Sequence, residues 1–299
     1  MGDGDDHIVS IAQALGPFPD ARVLLERYGL RAKKAFGQNF LISERALRAI
    51  ADATVSSDED VIVEIGAGLG TLTAQLAERV TAGKVIALET DRDMIRVLRA
   101  ELGGVDNLEI EEADAMRYDL RSAASLGRRI IVCGNLPYHI ASQLLFRVLD
   151  AREVIRHAVV MIQKEMADRI VAKPATKEYG ALGVMIRTYA DVTTILKVGA
   201  GSFLPPPKID STVIKLVPLA APRTAIADPA HYSKVVHAAF GQRRKTLRNA
   251  LRAVWPEAAV DRALAQTTID GIRRGETLDI AEFGRIAAEL PLASNEPHE

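Results

Sequence analysis

Short, nearly continuous apolar runs alternate with amphipathic segments through the first two thirds of the chain. Strand-like runs lie near 61–66, 84–89, 108–112, 130–133, 157–162 and 212–217, and unbroken Val, Ile and Leu content of that length is what a strand covered on both faces requires. Between them, Leu69, Leu72, Leu76 and Val80 recur at helical spacing, as do the apolar positions of Gln143 to Leu149 and Lys164 to Val171. The alternation predicts an α/β fold with a parallel-biased sheet and helices on both faces. The pattern breaks in the Pro-containing stretch from Val217-Pro218 to Asp228-Pro229. After it, periodic segments around 230–255, 257–266 and 279–290 with no further strand predict a small helical domain. Met1-Gly2-Asp3-Gly4-Asp5-Asp6 lacks the regions of a signal peptide and reads as an acidic disordered tail. The expected division is therefore an N-terminal extension over 1–25, an α/β domain over 26–217 and a helical domain over 218–299.

The first strand runs into Gly66-Ala67-Gly68-Leu69-Gly70-Thr71 and then into a helix. A strand, glycine-rich turn and helix let backbone approach a nucleotide-like ligand closely. The pyrophosphate fingerprint wants its third glycine where Thr71 stands, so S-adenosylmethionine, which has no phosphate, is a better candidate than a dinucleotide. A plain tight turn is the competing explanation. Glu89 ends the next apolar strand and Asp114 follows the one after. A carboxylate at the first place can take both ribose hydroxyls, and one at the second can accept from an adenine amine. Taken singly, each is a solvated strand-end charge.

Asn135-Leu136-Pro137-Tyr138 follows the apolar run Ile130-Ile131-Val132-Cys133. The Asn135 side-chain oxygen and a Leu136 or Pro137 carbonyl can accept hydrogen bonds from an exocyclic amine, freeing a lone pair otherwise delocalised into the base. Tyr138 can stack on that base, worth roughly 1–3 kcal/mol. The alternative is a strand that ends in a proline turn.

Together with Phe36-Gly37-Gln38-Asn39-Phe40-Leu41, Phe203-Leu204-Pro205-Pro206-Pro207-Lys208-Ile209-Asp210-Ser211 and Gln242-Arg243-Arg244-Lys245-Thr246, these motifs stand in the order seen in the KsgA-type ribosomal RNA adenine dimethyltransferases. The chain resembles that family over about residues 30 to 290. The resemblance implies a Rossmann-like S-adenosylmethionine-dependent methyltransferase domain with a small C-terminal helical domain. It also implies dimethylation of N6 of two adjacent adenosines near the 3′ end of 16S rRNA in the small ribosomal subunit. Carried over by position, Asn39 and Leu41 would touch the methionine end of the cofactor, Gly66 its turn, Glu89 ribose and Asp114 adenine. Asn135 would stand between cofactor and substrate, and Phe203 would face Tyr138 across the base. Ala113 and His139 depart from the family pattern at positions without a stated chemical role. The resemblance links loss of such an enzyme to kasugamycin resistance.

Composition adds bounds. At 299 residues, 48% hydrophobic and 26% charged, the chain is long enough for one large and one small domain. Its single cysteine, Cys133, allows no disulfide within the chain, which fits a reducing cytoplasm. The histidines show no metal-ligand spacing, and no apolar run approaches membrane-spanning length, so no metal and no membrane partner are expected; a monomer is expected. The net charge of −1 hides two basic clusters. One is Arg31, Lys33 and Lys34. The other is Arg243, Arg244, Lys245, Arg248 and Arg252, where a continuous helix would put Lys245, Arg248 and Arg252 on one face and Phe240, Leu247, Leu251 and Val254 on another. These five are candidate RNA phosphate contacts, a solvated helix face being the alternative. Two rival functions stay open: a large-subunit rRNA adenine methyltransferase of the macrolide-resistance type, and an RNA-binding assembly factor with vestigial catalysis.

Overall fold

The computed structural model describes residues 18–33, 37–124, 129–242 and 244–292. Nine strands are described: β1 (Phe40–Leu41), β2 (Val61–Ile65), β3 (Lys84–Glu89), β4 (Leu108–Glu112), β5 (Ile130–Asn135), β6 (Ile155–Gln163), β7 (Ala190–Val198), β8 (Phe203–Leu204) and β9 (Ser211–Pro218). Seven of them form one sheet in the order β4-β3-β2-β5-β6-β9-β7. β4, β3, β2, β5 and β6 run parallel, and β9 joins β6 antiparallel. The four central strands read as continuous apolar runs because their side chains are buried on both faces. Ile62, Val63, Val85, Ile131, Val132 and Cys133 are all fully buried.

The chain builds outward from β2 to β3 and β4, then crosses back to lay β5 on the other side of β2. That reversal is a topological switch point, where strand ends diverge and leave a crevice. Pairing of β2 with β5 stops at Glu64 opposite Cys133. At the next residue, Gly134, φ is +151°, and an added Cβ would stand 2.3 Å from the Ile65 carbonyl oxygen. Only glycine fits there.

The chain divides into two compact units, residues 1–164 with 193–217, and residues 165–192 with 218–299. The second is helical, as expected, but it also takes the helices Lys164–Val171 (from Glu165) and Ala181–Tyr189, which the 26–217 boundary assigns to the sheet domain. Its own contacts explain this. Tyr179 meets the Phe240 ring edge-on at 5.8 Å and donates to the Leu278 carbonyl, and the Thr188 hydroxyl bonds that of Tyr232 at 2.9 Å.

Two further expectations are corrected. Residues 18–25 are not part of a disordered tail, because Asp20 caps the helix Ala21–Arg27, which buries Ala21, Leu24 and Leu25; residues 1–17 lie outside the described set. The periodic segment 230–255 is two helices, Pro229–Gly241 and Leu247–Arg252, the second capped by the Thr246 hydroxyl. Among the described residues no helix is long and apolar enough to cross a membrane.

Candidate active site

One cleft at the carboxyl ends of the parallel strands gathers the residues singled out from the sequence for cofactor binding and catalysis, Phe203 excepted. It is lined by Asn39, Leu41, Gly66, Glu89, Asp114, Asn135, Leu136, Pro137 and Tyr138. Four of them arrive by the same device. A strand of the seven-stranded sheet places the residue at or just past its end, and sheet order sets the residues side by side, Asp114 after β4, Glu89 on β3, Gly66 after β2 and Asn135 on β5.

The glycine turn has positive φ at Gly66, Gly68 and Gly70, which bends the chain back before the helix Thr71–Arg79 begins. Glu89 fastens it. Its Oε2 accepts from the Gly68 N–H at 2.8 Å, while Oε1 accepts from the N–H groups of Thr90 and Asp91 at 2.7 and 2.9 Å. Asp114 sits exposed at the mouth, its Oδ1 accepting from the Met116 N–H at 2.8 Å. Asn135 donates through Nδ2 to the Asn39 carbonyl at 3.2 Å, which leaves its side-chain oxygen as an acceptor. The Leu136 N–H donates to the Met161 carbonyl, and the Pro137 carbonyl accepts from the Ile140 N–H, both at 3.1 Å. Pro137 therefore spends a lone pair closing its own turn. The Tyr138 ring is held by a 3.0 Å hydrogen bond between its hydroxyl and that of buried Ser211.

Phe203 does not join this group. It is 2% exposed and packs in the core with Leu41, Leu47, Met161 and Val213, so its ring is not presented to a base opposite Tyr138. Its motif does other work. β8 pairs antiparallel with β1, Leu41 opposite Phe203, and so holds the Asn39–Leu41 edge of the cleft.

Glu64 is a cleft residue to which the sequence reading assigned no role. It is 2% exposed, lines the cleft and has an Oε2 without a hydrogen-bond partner. Burial pushes its carboxyl up to about 8; the nearby Thr73 hydroxyl, itself without a bond of good geometry, opposes the rise and the Glu89 charge adds to it. The signal was present in the sequence, since an acid inside Val61-Ile62-Val63-Glu64-Ile65 is a charge in an otherwise apolar strand.

Of the basic clusters, Lys33 is engaged at 2.7 Å by both Asp91 and Asp93. Arg252 is taken up by Asp261 at 2.6 Å and Glu257 at 2.8 Å, and Arg248 lies 3.4 Å from Asp261. Lys245 precedes the Leu247–Arg252 helix instead of sharing its face; it and Arg244 are exposed, and Arg243 lies outside the described residues.

A parallel-rich sheet with a glycine turn, an acid at the end of the next strand and an Asn-Leu-Pro-Tyr edge at its switch point is the fold and site of a Rossmann-like methyltransferase. Sequence and structure comparisons narrow the class. The model of the ribosomal RNA adenine dimethylase family matches residues 29–289. A ribosomal RNA small subunit methyltransferase A from Anaeromyxobacter sp. (strain K) is 44% identical over 91% of this chain and 98% of its own length. The protein of the same name from Geobacillus sp. (strain WCH70) is 41% identical over 90% and 95%. Among solved structures, a dimethyladenosine transferase from Plasmodium falciparum is similar with a TM-score of 0.71 and 27% identity, over 82% of this chain and 95% of that one. The 23S rRNA methyltransferase ErmE is similar with a TM-score of 0.65 and 26% identity, over 84% and 99%. The chain belongs to the ribosomal RNA adenine dimethylase family.

Proposed function

We propose that this chain dimethylates N6 of two adjacent adenosines near the 3′ end of 16S rRNA in the cytoplasmic small ribosomal subunit, with S-adenosylmethionine as methyl donor. The carrying observation is the order of groups across the sheet. Asp114, Glu89, the Gly66 turn and Asn135 stand in strand order, the order in which adenine, ribose, amino-acid end and methyl acceptor would follow one another along such a ligand. The residues fit the cofactor's chemistry: three of the five turn residues, Gly66, Gly68 and Gly70, have no side chain to hold a ligand off the backbone, and the buried Glu64 oxygen lacks a partner beside it.

S-adenosylmethionine supplies a methyl group activated by a sulfonium. The protein's part is to hold and orient. Glu89 keeps two backbone-anchored oxygens at ribose height, and Asn39 fixes the Asn135 amide so that its oxygen faces the incoming amine. With Pro137 engaged by Ile140, the Leu136 carbonyl is the second acceptor. Tyr138, pinned by Ser211, offers the stacking face. Orientation of this kind can supply roughly 7–11 kcal/mol of a barrier. Arg244 and Lys245 contact RNA phosphates.

The large-subunit alternative is less favoured, because the relatives at 44% and 41% identity carry the small-subunit name whereas the 23S enzyme stands at 26%. The test is mass spectrometry of 16S rRNA fragments after unmethylated small subunits are incubated with the protein and labelled cofactor. Label in two neighbouring adenosines near the 3′ end is expected, and label confined to large-subunit RNA in a parallel incubation would overturn the assignment. In the same assay Asn135→Ala should bind cofactor within a few-fold of wild type and lose about 10²–10³ in methyl transfer.

A further inference from the structure

Ile272 is the most exposed large apolar side chain among the described residues, at 76%. An isoleucine of that exposure on a mobile tail would mean little, but this one is displayed by a braced loop. Its own N–H donates to the Asp270 carboxylate at 2.9 Å, and the Arg273 N–H donates to the Asp270 carbonyl at 3.1 Å. The carbonyls of Gly271 and Arg273 accept from the N–H groups of Arg248 and Leu247, the first residues of the Leu247–Arg252 helix. Gly271 is packed so closely under Arg248 that an added Cβ would meet its side chain at 3.0 Å. The Arg273 guanidinium turns inward, clasping Glu282 with both Nη atoms and the Thr277 carbonyl with Nη2. Everything around Ile272 is tied down, and its side chain is left in water.

Exposed cations lie on the segments braced to this loop, beside the Asp270 carboxylate that caps it. The bonds to Leu247 and Arg248 set the loop against the segment that carries Arg244 and Lys245, both exposed. Arg248 and Arg274 remain 48% and 54% exposed despite contacts to Asp261 and Glu276. An apolar side chain on a loop braced against a segment with exposed cations fits a partner that offers phosphates beside an uncharged surface. RNA is such a partner, since bases swung out of a helix, and the sugar edges of its shallow groove, present faces that apolar groups can cover.

We propose that Ile272 makes an apolar contact with a base or ribose of the rRNA substrate, next to the phosphate contacts made by Arg244 and Lys245. The proposal rests on the assignment of rRNA as substrate and adds a component of recognition that salt does not weaken. Phosphate contacts each contribute about one unit to the slope of log affinity against log salt, whereas burial of an alkyl group contributes none.

The experiment is filter binding to unmethylated small ribosomal subunits over a salt series. Ile272→Ala should bind roughly tenfold more weakly at every salt concentration, its line parallel to that of wild type, with Ile272→Val restoring most of the loss. Ile272→Lys should also bind more weakly, although a purely electrostatic patch would bind tighter for the added cation. Melting temperature should not move in any of the three, because the side chain packs against little. Coincident lines for Ile272→Ala and wild type would overturn the apolar contact. The double variant Arg244→Gln/Lys245→Gln separates this outcome from failure of the RNA assignment, since it should flatten the slope by about two units whatever Ile272 does. An unchanged slope in that variant together with weakened Ile272→Ala would place a ribosomal protein, not RNA, against the loop, and would overturn the proposal as well.

Discussion

Glu64 shows how much one atom's surroundings can ask of a residue. A carboxyl with a buried, unpartnered oxygen beside a second carboxylate is held neutral well above the ordinary 4.5, up to about 8. Between those two values the unfolded chain has released this proton and the folded chain has not. The group therefore subtracts stability as pH rises through that window, and the loss stops growing above about 8, where both states are ionised. Full expression would amount to about 5 kcal/mol. The ligand-free Glu64→Gln variant is expected to lack this slope, so that its melting temperature relative to wild type rises from pH 5 to pH 8; a constant difference across the series would show that Glu64 is ionised in the fold. A ligand ammonium next to Glu64 favours the charged form, so cofactor binding near neutral pH should release a proton, measurable as a buffer-dependent heat in calorimetry. Substitution by Gln should abolish that release.

At the scale of the element, the crevice exists because β5 can pass β2 so closely before the two part. Gly134→Ala would force a Cβ into the Ile65 carbonyl, with φ at +151° strained for any side chain, and is expected to cost roughly 3 kcal/mol or more, read by denaturant unfolding. Wild-type stability would mean that the strands can separate there freely. The same element explains what was legible in the sequence. β2, β3 and β5 announced themselves because two-sided burial leaves continuous apolar runs, and Gly66, Glu89 and Asn135 could be brought together because each follows or ends such a run, while Asp114 follows the alternating Leu-Glu-Ile-Glu-Glu pattern of the half-exposed β4. β7 went unread, being an edge strand with most of its side chains exposed, and β1 and β8, two residues each, have no period to detect. Phe203 was misplaced because an aromatic before prolines reads alike whether it faces a ligand or the core, and its partner Leu41 is far away in sequence. The break between the helices Pro229–Gly241 and Leu247–Arg252 carried a local signal, the capping Thr246, overridden by periodic apolar positions on either side of it.

For the whole molecule, a nearly even count of 38 basic and 39 acidic residues says less than where the cations are spent. Arg252, between Asp261 and Glu257 and 26% exposed, is structural. Arg252→Gln should lower the melting temperature by a few degrees, about 1 kcal/mol, while leaving the salt slope of subunit binding unchanged. A flattened slope would return Arg252 to the phosphate contacts. The sheet's centre carries a probe of a different kind. Cys133 is the chain's sole thiol, fully buried opposite Glu64, and burial, with Glu64 adding to it, raises its pKa well above the usual range. A thiol reagent can reach it only when β5 comes away from its neighbours, so the labelling rate of native protein measures how often the middle of the sheet opens. Since that opening also dismantles the cleft, cofactor at a hundred times its dissociation constant should slow labelling about a hundredfold. The chain thus has a built-in clock for its own breathing, read with a colorimetric disulfide and no engineered label.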